Sequence, residues 1–87
     1  MQGPVIADSA RKHGITDENI RHAWRNQIGA KYYDDGFTMA VGPSQSADLL
    51  EVGTVDADDG LVIIHAMRAR PSTLAEVLGA RESGTGR

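Results

Sequence analysis

The segment Leu61-Val62-Ile63-Ile64-His65-Ala66-Met67-Arg68-Ala69-Arg70 constrains this chain more than any other. It lies between the acidic turn Asp56-Ala57-Asp58-Asp59-Gly60 and Pro71, and its apolar run is strand-sized. A membrane-spanning helix needs about 18 apolar residues in succession, so this segment cannot be one. Its continuity predicts a strand over residues 61–69 that is covered on both faces, as a central strand is. With 87 residues in all, the chain has room for a single core built around that strand.

The segments on either side of it punctuate clearly. Residues 30–33 and 37–41 flank Asp34-Asp35-Gly36, a strong hairpin signal. Gly42-Pro43-Ser44-Gln45-Ser46 is a second turn, and residues 48–55 read as a strand. Leu50 and Val52 fall on one face of that strand, and Leu49, Glu51 and Val55 on the other. Before residue 29 the apolar period is helical. Pro4 opens an expected helix over residues 5–13, with Ile6, Ala10 and His13 on one stripe and Gly14 as its left-handed cap. Thr16 caps a second helix, in which Asp17 and Glu18 favour the first turn and Ile20, Ala23, Trp24 and Ile28 form the apolar stripe. Beyond Pro71, Thr73 and Glu76 suggest a capping box for a last helix with Leu74, Val77 and Leu78 inward. Residues 83–87 read as a frayed tail.

The expected fold is therefore α+β: two N-terminal helices, a four-stranded antiparallel sheet and a C-terminal helix. One domain spans residues 1–82. The three helices are expected to cover one face of the sheet, with Trp24 in the core.

Charge and composition narrow the chemistry. The chain has no cysteine, which excludes disulfides, thiolate metal sites and a cysteine nucleophile. The N-terminus lacks the basic flank and apolar stretch of a secretory signal, so a cytoplasmic protein is expected, without a membrane partner. The net charge is −3, and residues 34–60 hold seven carboxylates and no Lys or Arg. A protein that grips nucleic acid by its phosphates usually carries a basic excess. Here any RNA contact must gather cations from the two ends of the chain onto one face.

No metal or cofactor is expected. His13, His22 and His65 form no pair at i, i+4, and a polar hairpin accounts for the faint calcium-loop echo at residues 56–60. Lys12 and His13 sit where cations favour a helix C-terminus. His22 falls on the polar side of the second helix and reads as solvated. His65, deep in an apolar strand, is either a satisfied core residue or a working one, with an unperturbed pKa near ~6.5. Arg68 and Arg70 could grip a phosphate bidentately or pair with the acidic hairpins. Strict alternation puts Leu61, Ile63, His65 and Met67 on one face and Val62, Ile64, Ala66, Arg68 and Arg70 on the other. Without a bulge, His65 and the two arginines then point apart.

Three stretches together resemble the BrnT-like toxins, small RelE-like endoribonucleases of bacterial type II toxin–antitoxin pairs. They are Ala10-Arg11-Lys12-His13-Gly14-Ile15, Asp48-Leu49-Leu50-Glu51-Val52, and Val62-Ile63-Ile64-His65-Ala66-Met67-Arg68-Ala69. The likeness spans residues 8–74. It implies a RelE-like fold and metal-independent RNA cleavage, in which a 2′-hydroxyl attacks the adjacent phosphorus. On that resemblance His65, Arg68, Lys12 and His13 are the catalytic candidates, and Arg70 and Arg11 bind RNA. His65 stands where the family has Ser, and Met67 where it has a basic residue. The family's initial strand is missing or degraded in residues 1–6. The implied partners are RNA and a cognate antitoxin, of ribbon-helix-helix type, in a homodimer or a hetero-oligomer. The alternative function is a non-enzymatic protein-binding module of the same fold.

Overall fold

A computed structural model describes residues 3–79. Five strands form one sheet: β1 (Val5–Ile6), β2 (Gly29–Tyr32), β3 (Phe37–Pro43), β4 (Leu49–Ala57) and β5 (Gly60–Arg68). Their order is β1-β5-β4-β3-β2. The β2–β3, β3–β4 and β4–β5 pairs are antiparallel, and β1 runs parallel to β5.

The four-stranded antiparallel sheet and the first helix are thus corrected together. Residues 5–13 do not form a helix. Val5 and Ile6 are β-branched and suit a strand. They pair with Val62 and Ile63 along the outer edge of β5, whose backbone groups would otherwise lack partners on that side. Only a short 3-10 turn, Asp8–Arg11, follows. The initial strand, expected to be missing or degraded in residues 1–6, is a two-residue strand.

The second helix forms as its sequence predicts, as α1 (Asp17–Arg25). The Thr16 side chain accepts a hydrogen bond from the Asn19 backbone N–H, so the cap is the expected one. Ile20 and Ala23 are fully buried and Trp24 is half-buried against the core, but Ile28 lies beyond the helix and is exposed. His22 is not simply solvated. Its ring Nδ1 donates to the Pro43 carbonyl at 2.7 Å, tying α1 to the end of β3. At Gly42 the backbone of α1 comes so close that a side-chain carbon would collide with the Ala23 carbonyl. Glycine is what permits this helix–sheet contact.

The Asp34-Asp35-Gly36 turn joins β2 to β3 as expected, with Asp35 and Gly36 at positive φ. β5 holds a bulge that the alternation did not anticipate. Gly53 pairs with His65 but Thr54 pairs with Ile63, so Ile64 is the extra residue. The bulge turns Ile63 onto the same face as Ala66, and both are buried with Leu50, Val52, Ile6, Ala10, Ile20 and Ala23. Met67 and His65 lie on the other face, with Glu51.

That other face is covered by α2 (Pro71–Leu74), which continues as a wider π turn over Ala75–Gly79. Val77 and Leu78 reach Gly29, and Glu76 pairs with Lys31 at 2.9 Å. Helices therefore lie on both faces of the sheet, not on one. The capping box is absent as well: Arg70 is the N-cap without a side-chain cap, Thr73 is buried and Glu76 is committed to Lys31. The expected tail at residues 83–87 lies outside the described residues. Among the described residues, no helix is long and apolar enough to cross a membrane.

Candidate functional site around Glu51 and His65

Glu51 sits on β4 among apolar neighbours and is 0% exposed, so its carboxylate must be met by donors. It is. The backbone N–H of Arg70 donates to Oε1 at 3.0 Å, Arg70 Nε lies 3.2 Å from Oε1 and 3.1 Å from Oε2, and Arg70 Nη2 donates to Oε2 at 2.6 Å. His65 Nε2 lies 2.7 Å from Oε2. Burial is the largest single influence on this carboxyl and would raise its pKa. Hydrogen bonds from Arg70, Thr73 and His65 together outweigh burial and bring the pKa down to about 2. Glu51 is ionised and accepts only.

Local sequence explains how these groups meet. Arg70 follows the last residue pairing of β5 with extended backbone, and Pro71 starts α2 with its preset φ. The chain turns there over the face that carries Glu51, so Arg70 folds back onto the carboxylate. Gly53, opposite His65, leaves room for the Phe37 ring: a Cβ there would stand 2.8 Å from that ring and 3.3 Å from His65 Cβ. His65 lies against the glutamate, with 23% of its side chain exposed. The His13 ring, which follows the 3-10 turn, stands edge-on to it with centroids 5.9 Å apart.

The structure brings together His65, His13 and Arg70 from the residues named in the sequence. Lys12 precedes His13 in the chain and is exposed. Arg68 is not part of this group. It pairs with Leu50 in the β4–β5 register, on the α1 side of the sheet. Its guanidinium lies 3.5 Å from Asp48 beside a cleft lined by Gly14, Ile15, Thr16, Asn19 and Ser44. The bulge lies before His65, not between it and Arg68, so the two remain on opposite faces. Arg11 is held by Asp17 through Nε and Nη2, at 2.8 and 2.9 Å, and by Asp8 at 2.8 Å.

Glu51 is the residue that sequence reasoning passed over. The signal was present: a carboxylate on the Leu49, Val55 face of one strand, with a histidine in an apolar run of the next. An unpaired charge in that position needs a partner, and His65 was the nearest candidate.

Chemically, the arrangement is an imidazole oriented by a buried carboxylate, with a second imidazole beside it and a guanidinium at its edge. Such a group has the geometry of an oriented acid–base pair, one imidazole nitrogen held by the carboxylate and the other left for exchange. Among the described residues, no cluster of three or more His, Asp or Glu side chains is placed to hold a metal ion. Comparison with known protein families, with characterised proteins and with solved structures finds no match.

Proposed function

We propose that this protein is the toxin component of a bacterial type II toxin–antitoxin pair, an endoribonuclease that cleaves RNA through its own 2′-hydroxyl. The observation that carries the reading is the pair of imidazoles, His65 and His13, with ring centroids 5.9 Å apart and one of them anchored. Cleavage by this route needs one group to accept the 2′-hydroxyl proton and another to protonate the leaving oxygen. His65 serves as the first and His13 as the second. The O2′–P bond forms as the P–O5′ bond breaks, which leaves a 2′,3′-cyclic phosphate and a free 5′-hydroxyl. Lys12 and Arg70 supply positive charge beside the phosphate. Arg68, across the sheet, is outside the proposed set.

A second reading has its own support. Arg11, Lys31, Arg68 and Arg70 each lie against a carboxylate, which reduces the positive charge that these four side chains offer RNA. A protein-binding module of the same architecture is consistent with that pairing.

The deciding experiment is cleavage of mixed RNA by purified protein in the presence of a chelator, with the cognate partner removed. The ribonuclease reading expects fragments ending in 2′,3′-cyclic phosphate. Intact RNA in every condition leaves the binding module.

A further inference from the structure

We infer that Glu51 is the positioning residue of this site, fixing His65 as the Nε2–H tautomer and leaving Nδ1 as the nitrogen that exchanges the proton. Its catalytic half rests on the ribonuclease reading; its tautomer half rests on the 2.7 Å contact between His65 and an ionised Glu51.

An ionised carboxylate has no hydrogen to offer, so the ring nitrogen 2.7 Å from Glu51 Oε2 must be the donor. A neutral imidazole carries one N–H. With that hydrogen on Nε2, the free lone pair is on Nδ1. The opposite tautomer would set two lone pairs against each other at a carboxylate that is 0% exposed, where no solvent relieves the repulsion.

The same contact survives proton uptake. When Nδ1 accepts a proton the imidazolium still donates Nε2–H to Glu51, so neither group moves during the step, and the negative carboxylate stabilises the charge that forms. Arg70 and Thr73 complete the arrangement. Their hydrogen bonds keep Glu51 ionised, so the proton stays on the histidine and does not pass to the carboxylate. Glu51 thus orients and Arg70 holds the orienter, while the His13 ring stands edge-on to that of His65.

The test is nitrogen-15 NMR of histidine-labelled protein, at about pH 8, where an ordinary imidazole is neutral. Wild type is expected to show His65 as a single Nε2–H tautomer. Glu51→Gln is expected to give a mixture of tautomers. Arg70→Gln, which removes the guanidinium from Glu51 but leaves the residue-70 backbone N–H, Thr73 and the contact to His65, should keep the single tautomer. A purely structural Glu51 would leave the tautomer of His65 unchanged in Glu51→Gln. In RNA cleavage, Glu51→Gln should lower kcat by roughly 10²–10⁴-fold with KM little changed, as loss of a correctly oriented acid–base group does.

Two failures are distinguishable. A single Nε2–H tautomer in a protein that cleaves no RNA supports the assigned geometry and ends the ribonuclease reading. An Nδ1–H tautomer in wild type, or a Glu51→Gln variant that keeps both tautomer and rate, overturns the role of Glu51. The wild-type spectrum needs no substitution, so the assignment stays testable even if Glu51→Gln does not fold.

Discussion

Ile63 and Ala66 are three residues apart on β5, yet both point into the same core beside Val52. An odd spacing on one face requires an extra residue between them, and Ile64 is that residue. The bulge decides which isoleucine stabilises the fold. Ile63 is 0% exposed, whereas Ile64 is half-buried. Ile63→Ala is expected to cost about 2–5 kcal/mol, and Ile64→Ala distinctly less. Chemical denaturation of the two variants checks this. Equal costs, or a larger one at Ile64, would mean that β5 alternates strictly and has no bulge.

A second expectation concerns the contact between α1 and β3. At Gly42 any side chain meets the Ala23 carbonyl, a backbone group that cannot swing away. Gly42→Ala should destabilise the protein by roughly 1–3 kcal/mol, the usual cost of overpacking, and Gly42→Val by more. The melting temperatures of the two variants measure it. An unchanged value would place α1 farther from the sheet.

Acid should unfold the protein through Glu51. Its carboxyl is depressed from an ordinary 4.5 to about 2 in the folded chain. A group with a lowered folded pKa stabilises the fold above its unfolded pKa and loses that effect as pH falls through the folded value. The contribution is therefore complete above about pH 4.5 and declines toward about pH 2, with a total on the order of 3 kcal/mol. Glu51→Gln should flatten this part of the stability profile, measured by denaturation across that range. A profile with the same acid slope in both proteins would assign the loss to other carboxylates.

The two arginines at the end of β5 should behave differently. Arg70 satisfies a buried carboxylate, whereas the Arg68 side chain is 74% exposed and only 3.5 Å from Asp48. Arg70→Ala takes the guanidinium from a buried carboxylate and should lower stability measurably, while Arg68→Ala should change it little. The pair of unfolding curves tests the assignment. Similar small losses at both would show that Glu51 does not depend on Arg70.

Some local elements of this architecture were legible in the sequence, although the sheet as a whole was not. The Thr16 cap, the Ile20 and Ala23 stripe and the Asp34-Asp35-Gly36 hairpin each depend on residues a few positions apart. The features that sequence reasoning missed are set by distant partners. Val5 and Ile6 become a strand because β5, more than fifty residues later, offers them an edge. The last helix crosses to the opposite face because Arg70 meets Glu51 there, 19 residues away in the chain. Neither relation has a local signature. Among the site residues, His65 stood out because a titratable ring interrupts an apolar run. Arg68 and Arg70 looked alike on strict alternation, and only the end of β5 and the turn into α2 separate them.

The central claim is that His65 moves a proton in RNA cleavage. It is tested most directly by comparing wild type with His65→Ala on one RNA substrate, with a chelator present and the folded fraction of each protein measured. The account predicts that cleavage per folded molecule falls by roughly 10²–10⁴-fold while the fold is retained. Cleavage per folded molecule that persists in His65→Ala, alongside a loss of stability, would contradict it and make His65 a partner of Glu51 in the structure only.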